Sequence, residues 1–282
     1  MKLKFANQEF NSKLLPENRK ELFADIFKLH HAKLFLSGLI LLLFSIPLLV
    51  VLFLKDYSYV SLTDIAEIRS MSLMYSALEI PAIVILSIGF SGISKVFRNY
   101  CWMDPVFFKE DFLSGIKDNK IQCIFIGLTT GILAFLFNVI RIYSNSGWLD
   151  AIPFGFIFFG FYPVLIHAFF MNSIYTNKFN MNLKAGAFCY FKFFWRTILT
   201  SCLLYIFLVP SLFHFIHPLG VILKYTIIVI FMIFLLPIIL LIVNLSEMVI
   251  FDSLINKEKF PQLYKKGLYI NFINNTSKIE KE

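Results

Sequence analysis

Charge and cysteine are scarce in this chain of 282 residues. Only 16% are Asp, Glu, Lys or Arg, against about a quarter in soluble domains. That shortfall excludes a solvated enzyme domain and a disordered tail. The four cysteines, Cys101, Cys123, Cys189 and Cys202, contain no CxxC pair. A disulfide framework or a zinc module needs tighter spacing and polar partners, so all four are expected to be free thiols. There is no Walker A loop, no HExxH and no Gly-x-Ser-x-Gly, which removes the common motifs of phosphate binding, zinc proteolysis and serine hydrolysis. No ladder of arginines is present, so a voltage sensor is excluded. No cleavable signal is evident. The first apolar run starts at Leu34 and continues for 21 residues, too long for a signal-peptide core.

What is abundant is hydrocarbon. The chain is 58% hydrophobic with mean hydropathy +0.74, the composition of an integral membrane protein. A bilayer core of about 30 Å takes about 20 apolar residues of helix. Six runs qualify: 34–54, 72–94, 121–140, 151–171, 197–216 and 219–243. The last two are divided by a turn at His217-Pro218. The expected fold class is all-α, a polytopic bundle of six transmembrane helices in three hairpins. Residues 1–33 form an N-terminal segment, 34–243 the membrane domain and 244–282 a C-terminal tail.

Basic residues give the orientation. The N-terminal segment, the second-to-third and fourth-to-fifth connections and the tail hold 22 Lys and Arg; the other three connections hold 4. With the acidic residues counted, one face nets +9 and the other −1. Both termini are therefore expected on the cytoplasmic side. The overall charge of +8 reads as a membrane-facing distribution and not as a nucleic-acid footprint.

Amphipathic lead-in helices are expected before spans one, three and five. The N-terminal one carries Leu22, Phe23, Ile26 and Phe27 behind Pro16. The second carries Phe108, Phe112 and Ile116 at four-residue spacing, with Asp104 as its N-cap and Pro105 at its first position. The third, 184–196, carries Phe188, Phe191, Phe194 and Trp195. Their apolar stripes suit a membrane interface.

Ionisable groups inside lipid are the default functional candidates, and two stand out. Glu79 lies about two turns into the second run, with no basic residue in its own span. It reads as an interfacial group at the outer end, or as a coupled site if another helix supplies a partner. His167, in the inner half of the fourth run, reads first as an interhelical hydrogen bonder. His214 and His217 have no carboxylate beside them, so no metal site is expected there. His30 and His31 read as headgroup contacts, and Gln122, Asn138 and Asn244 as hydrogen bonders near span ends. Gly127 and Gly131 form a GxxxG that lets two helices approach closely.

Three stretches resemble a known family. The first is Val96-Phe97-Arg98, then Asp104-Pro105-Val106-Phe107-Phe108-Lys109-Glu110-Asp111-Phe112 and Gly115-Ile116-Lys117-Asp118-Asn119. The second is Phe161-Tyr162-Pro163-Val164-Leu165 with Lys178-Phe179 and Leu183-Lys184-Ala185. The third is Phe251-Asp252, Ile255-Asn256-Lys257, Phe260-Pro261 and Lys266-Gly267. Over residues 30–268 these resemble the YesL-like family of Gram-positive bacterial membrane proteins. Asp104 stands where the family more often has Glu, and the first hairpin matches least well.

The resemblance implies a bacterial cytoplasmic-membrane protein, without catalytic residues or cofactors, associated with carbohydrate uptake of the ABC type. The leading expectation is a non-enzymatic accessory protein. Its partners would be the bilayer and another membrane protein such as a transporter subunit, with no nucleic acid and with a second copy of the chain left open. Arg98, Asp104, Lys117, Asn119, Lys120, Asp252 and Asn256 would form the cytoplasmic docking surface. A permease subunit carrying solute itself is the alternative, since residues 184–196 are loosely similar to the coupling loop of ABC permeases. A lipid-modifying enzyme is the third reading and requires Glu79 and His167 to converge.

Overall fold

The structure, a computed structural model, describes residues 16–62, 64–144, 147–175, 177–206 and 217–269. All regular elements among them are helical: α1 (Arg19–Ser61), α2 (Ile65–Cys101), α3 (Phe108–Tyr143), α4 (Gly147–Gly155), α5 (Tyr162–Ile174), α6 (Phe179–Lys192), α7 (Phe194–Tyr205), α8 (Pro218–Phe251) and a last turn, α9 (Lys257–Lys259). A π-helical stretch, Phe156–Phe161, joins α4 to α5, and another, Asp252–Asn256, joins α8 to α9.

Among the described residues, five helical rods are long and apolar enough to cross a membrane: Arg19–Val60, Ile65–Cys101, Phe108–Tyr143, Ala151–Ile174 and Pro218–Lys259. The fifth apolar run of the sequence begins as α7. Residues 207–216, including His214, lie outside the described residues, as do 1–15 and 270–282. Leu39, Leu43, Ile46 and Val50 on α1, and Ile121, Phe125, Ile132 and Leu136 on α3, stay exposed. Their spacing makes continuous apolar stripes facing away from the protein, as a lipid-bathed bundle requires.

The helices meet in two apolar cores. One gathers Leu34 and Leu41 of α1, Ile93 and Phe97 of α2, and Leu236 and Leu240 of α8. The other gathers Phe170 and Met171 of α5, Cys189 of α6, and Val243, Ile250 and Phe251 of α8. Close approach is set by glycine. A Cβ at Gly127 would lie 2.9 Å from Val84 Cα and one at Gly131 3.0 Å from Ile80 Cα, so the GxxxG seats α3 on α2. A Cβ at Gly38 would lie 2.3 Å from the Ile233 carbonyl oxygen of α8. Backbone cannot swing aside, so Gly38→Leu should force α1 from α8 and cost upwards of about 1–3 kcal/mol. Thermal unfolding in detergent would show it, with the exposed Leu39→Ala as the unaffected comparison.

The lead-in helices are built into the bundle. Asn18 caps α1, its side chain accepting from the Lys20 and Glu21 amides at 3.0 Å. A kink at His30 (φ −126°, ψ 17°) then turns the lead-in onto the long rod. Leu22 and Ile26 are fully buried in the first core, while Phe27 and Leu29 are exposed. The apolar stripe thus covers protein as well as lipid. α6 is cut from α7 at Phe193; its Asn182, Gly186 and Cys189 are buried, Gly186 against α5, and Phe191 and Trp195 face outward at 78% and 77% exposure.

Asp104 is not a helix cap. α3 starts four residues later, behind Phe107, and Asp111 accepts the Phe107 amide at 2.9 Å. Asp104 is drawn instead to Lys266, 2.7 Å away, a partner 162 residues along the chain that local spacing cannot reveal.

Candidate functional site

Three polar assemblies lie within the described bundle. The first is at the end opposite the basic one. Lys55 Nζ of α1 bonds Glu79 Oε1 of α2 at 2.8 Å and Ser76 Oγ at 3.1 Å. Asn138 of α3 donates to Glu79 Oε2 at 3.3 Å. One residue along α1, Asp56 accepts from Lys224 Nζ at 2.6 Å and from Tyr225 Oη at 2.9 Å. Glu79 and Lys224 are buried, at 6% and 5% exposure. Glu79 is therefore a buried group whose partner comes from another helix. Opposite charges so placed cancel in a region where an isolated charge is costly.

The second assembly is a knot at the basic end. Arg19 donates to the carbonyls of Cys101 and Lys266 at 3.1 and 3.0 Å and to Asp252 Oδ2 at 3.0 Å. Asp252 Oδ1 accepts from Asn256 Nδ2 at 2.9 Å and from the Lys265 amide at 3.1 Å. Asn256 Oδ1 accepts from the Tyr175 hydroxyl at 2.6 Å. Burial, then the negative charge of Asp252, raise the Tyr175 phenol above its ordinary range, which keeps it a neutral donor. Trp102 lies between two cations, Arg98 at 4.7 Å and Lys266 at 4.3 Å from its ring centre. Gly267 sits at φ +85°, and a Cβ there would meet the Cys101 carbonyl oxygen at 2.4 Å.

Most of the candidate docking residues belong to this knot. Arg98 also donates to the Ser173 carbonyl. With Asp104, Asp252 and Asn256 it makes contacts within the chain, and Asn119 is buried. Lys117 and Lys120 remain exposed.

The third assembly is the deepest. His167 of α5 reaches Glu247 Oε2 of α8 through Nδ1 at 2.5 Å and Thr197 Oγ1 of α7 through Nε2 at 2.9 Å. His167, Thr197 and Glu247 are 0%, 1% and 0% exposed. Local sequence explains why these helices meet. Pro163 has no N–H for the Phe159 carbonyl four residues earlier, and the π stretch loosens the ladder before it. The freed carbonyls of Phe158 and Phe159 accept the hydroxyls of Tyr205 and Tyr190 at 2.5 and 2.6 Å. Two tyrosines thereby tie α7 and α6 to the break in α5, satisfying backbone groups that lipid could not. Beside the assembly, burial pushes the Cys189 thiol of α6 up to about 12, which leaves it a protonated, unreactive group. All four cysteines are free.

Hydroxyl, imidazole and carboxylate follow one another here in the order of a nucleophile triad. All three side chains are buried between α5, α7 and α8. Glu79 and His167 each bond other residues, so the carboxylate of one and the imidazole of the other do not share a site.

Glu247 was hidden in the sequence because the apolar run ends at Val243. α8 instead continues unbroken to Phe251, and Asn244 and Glu247 are buried at 1% and 0%. The available signal was position: Asn244, Glu247 and Phe251 recur at helical spacing on one face. Of the remaining amides, Gln122 donates to the Asn177 carbonyl at 2.6 Å. His217 caps α8, accepting the Leu219 amide at 3.3 Å. His30 stacks on Tyr100 at 4.6 Å, and His31 is exposed.

No family model, curated protein or solved structure matches this chain.

Proposed function

We propose that this protein is a multi-pass, non-enzymatic accessory component of a bacterial transport system, of YesL-like kind. It crosses the cytoplasmic membrane six times, with the run 197–216 counted as the fifth span and both termini in the cytoplasm. The observation carrying this reading is that, among the described residues, each of its buried acidic and basic side chains is bonded to another element of the same chain. Glu79, His167, Lys224, Glu247 and Asp252 are each bonded to a partner within the chain. Such groups brace helices against each other and leave recognition to the ends of the bundle. The 22-to-4 division of basic residues supports the cytoplasmic placement of the basic end. Docking falls to the exposed Lys117 and Lys120, on the third and fourth turns of α3.

Reversing both, Lys117→Glu with Lys120→Glu, should abolish co-purification of a membrane partner in mild detergent while the protein still elutes as one species. Equal recovery of the partner with the double variant would overturn the docking assignment. A permease that itself carries solute is the second reading, favoured by the polar α5–α7–α8 interface. Solute uptake into liposomes holding the purified protein alone would decide for it.

A further inference from the structure

The α5–α7–α8 interface carries more hydrogen-bonding capacity than its own bonds use. Glu247 Oε1, Asn244 Nδ2 and Ser201 Oγ are buried without a hydrogen-bond partner among the described residues. The pairs His167–Glu247 and Tyr175–Asn256 run in the same direction along α5 and α8. Thr197–His167 and Tyr205–Phe158 run in the opposite direction along α7 and α5. α7 is thus antiparallel to α8, so Ser201, one turn beyond Thr197, and Asn244, one turn before Glu247, sit at the same depth. The unused polar atoms flank the histidine–glutamate pair on both helices.

We infer that His167 and Glu247 form a proton-binding site inside the bundle, which loads and releases one proton between the membrane's polar surface and this interface. In the unloaded state Nδ1–H of a neutral His167 donates to the Glu247 carboxylate and Nε2 accepts the Thr197 hydroxyl. The pair then carries one negative charge. Loading breaks one O–H bond of a hydronium ion and forms one N–H bond at Nε2, leaving a neutral water, and the pair becomes neutral overall. The Nδ1–H bond to Glu247 persists. Thr197 answers by turning its hydroxyl hydrogen toward the preceding turn of α7 and accepting from Nε2–H.

Threonine is suited to this because a hydroxyl both donates and accepts; valine, of the same shape, does neither. The charge change also acts on a limited joint. Among the described residues, the polar ties of α7 to α5, the π stretch before it and α8 are the Thr197–His167 bond, the Tyr205–Phe158 bond and an Arg196 bond to Ser246 Oγ at 3.1 Å.

Two charged or titratable groups of the packed elements, Arg196 and Cys189, lie within electrostatic reach of Glu247, and Tyr175, Arg98 and Asp252 are held by partners of their own. α7 brings Arg196, whose charge lies within reach of Glu247. α6 brings Cys189. The turn after α5 brings Tyr175, bonded to Asn256. α2 brings Arg98, bonded to the Ser173 carbonyl, and the π turn after α8 brings Asp252, bonded to Arg19. None of these interposes between His167 and Glu247.

The test is nitrogen-15 NMR of labelled histidine in the full chain reconstituted in lipid, titrated between about pH 5 and pH 8. The His167 resonances are identified by their loss in His167→Gln. Expected is passage of His167 from the Nδ1-protonated neutral ring to the doubly protonated ring. Glu247→Gln should remove that transition from the range, and Thr197→Val should displace its midpoint while the protein stays monodisperse. A wild-type ring held in one protonation state throughout would overturn the proposal, whatever the variants do. So would an unchanged transition in Glu247→Gln, or ring signals that follow sodium concentration at fixed pH, which would make the ligand a metal cation.

Discussion

Glu79→Leu is expected to destabilise the bundle by about 3–5 kcal/mol, the cost of leaving the opposite member of a buried ion pair uncompensated. Lys55 would keep only its 3.1 Å bond to Ser76, at 13% side-chain exposure, and Asn138 would lose its acceptor. The double variant Lys55→Met with Glu79→Leu removes both charges and should recover most of the loss, because a well-packed apolar pair costs nothing to desolvate. Thermal unfolding of the three variants in detergent measures this. Equal stability of the single variant and the wild type would show that Glu79 is solvated and that its bond to Lys55 contributes nothing.

Arg19→Met should have an effect of similar size at the other end. One guanidinium holds two carbonyls and the Asp252 carboxylate, and its side chain is 11% exposed. Its removal unties four stretches of chain together: the start of α1, the end of α2, the π turn after α8 and the segment 261–269. The expected result is a loss of about 3–5 kcal/mol and faster amide exchange at the Lys265 amide, which donates to Asp252. Arg19→Lys should restore one of the three bonds at best, since an ammonium lacks the planar fork of guanidinium. Exchange at Lys265 that is the same in wild type and Arg19→Met would show that the knot closes without Arg19.

The two ends of the molecule differ in how far the sequence reveals them. The N-terminal lead-in helix was legible because Leu22, Phe23, Ile26 and Phe27 repeat with helical period. What its stripe covers was not, because apolar spacing is the same whether a helix lies on lipid or on protein. Asp104-Pro105 has the local form of a cap, yet Lys266 outcompetes the nearby amides. Residues 98, 104, 252, 256 and 267 stood out in the sequence; their use in contacts within the chain was not legible.

Hydrocarbon content and helical run length determined by themselves that the chain is a helical membrane protein, since a bilayer admits few backbone solutions. The asymmetry of Lys and Arg likewise rests on counting. Only the tertiary structure decided which buried charges meet. Lys55 finds Glu79, Lys224 finds Asp56, and His167 finds Glu247 and Thr197, each across helices whose relative rotation no single sequence states. Pairing depends on which face of each rod turns inward, and that is set by packing: Gly38 against Ile233, Gly127 against Val84, and the carbonyls freed ahead of Pro163.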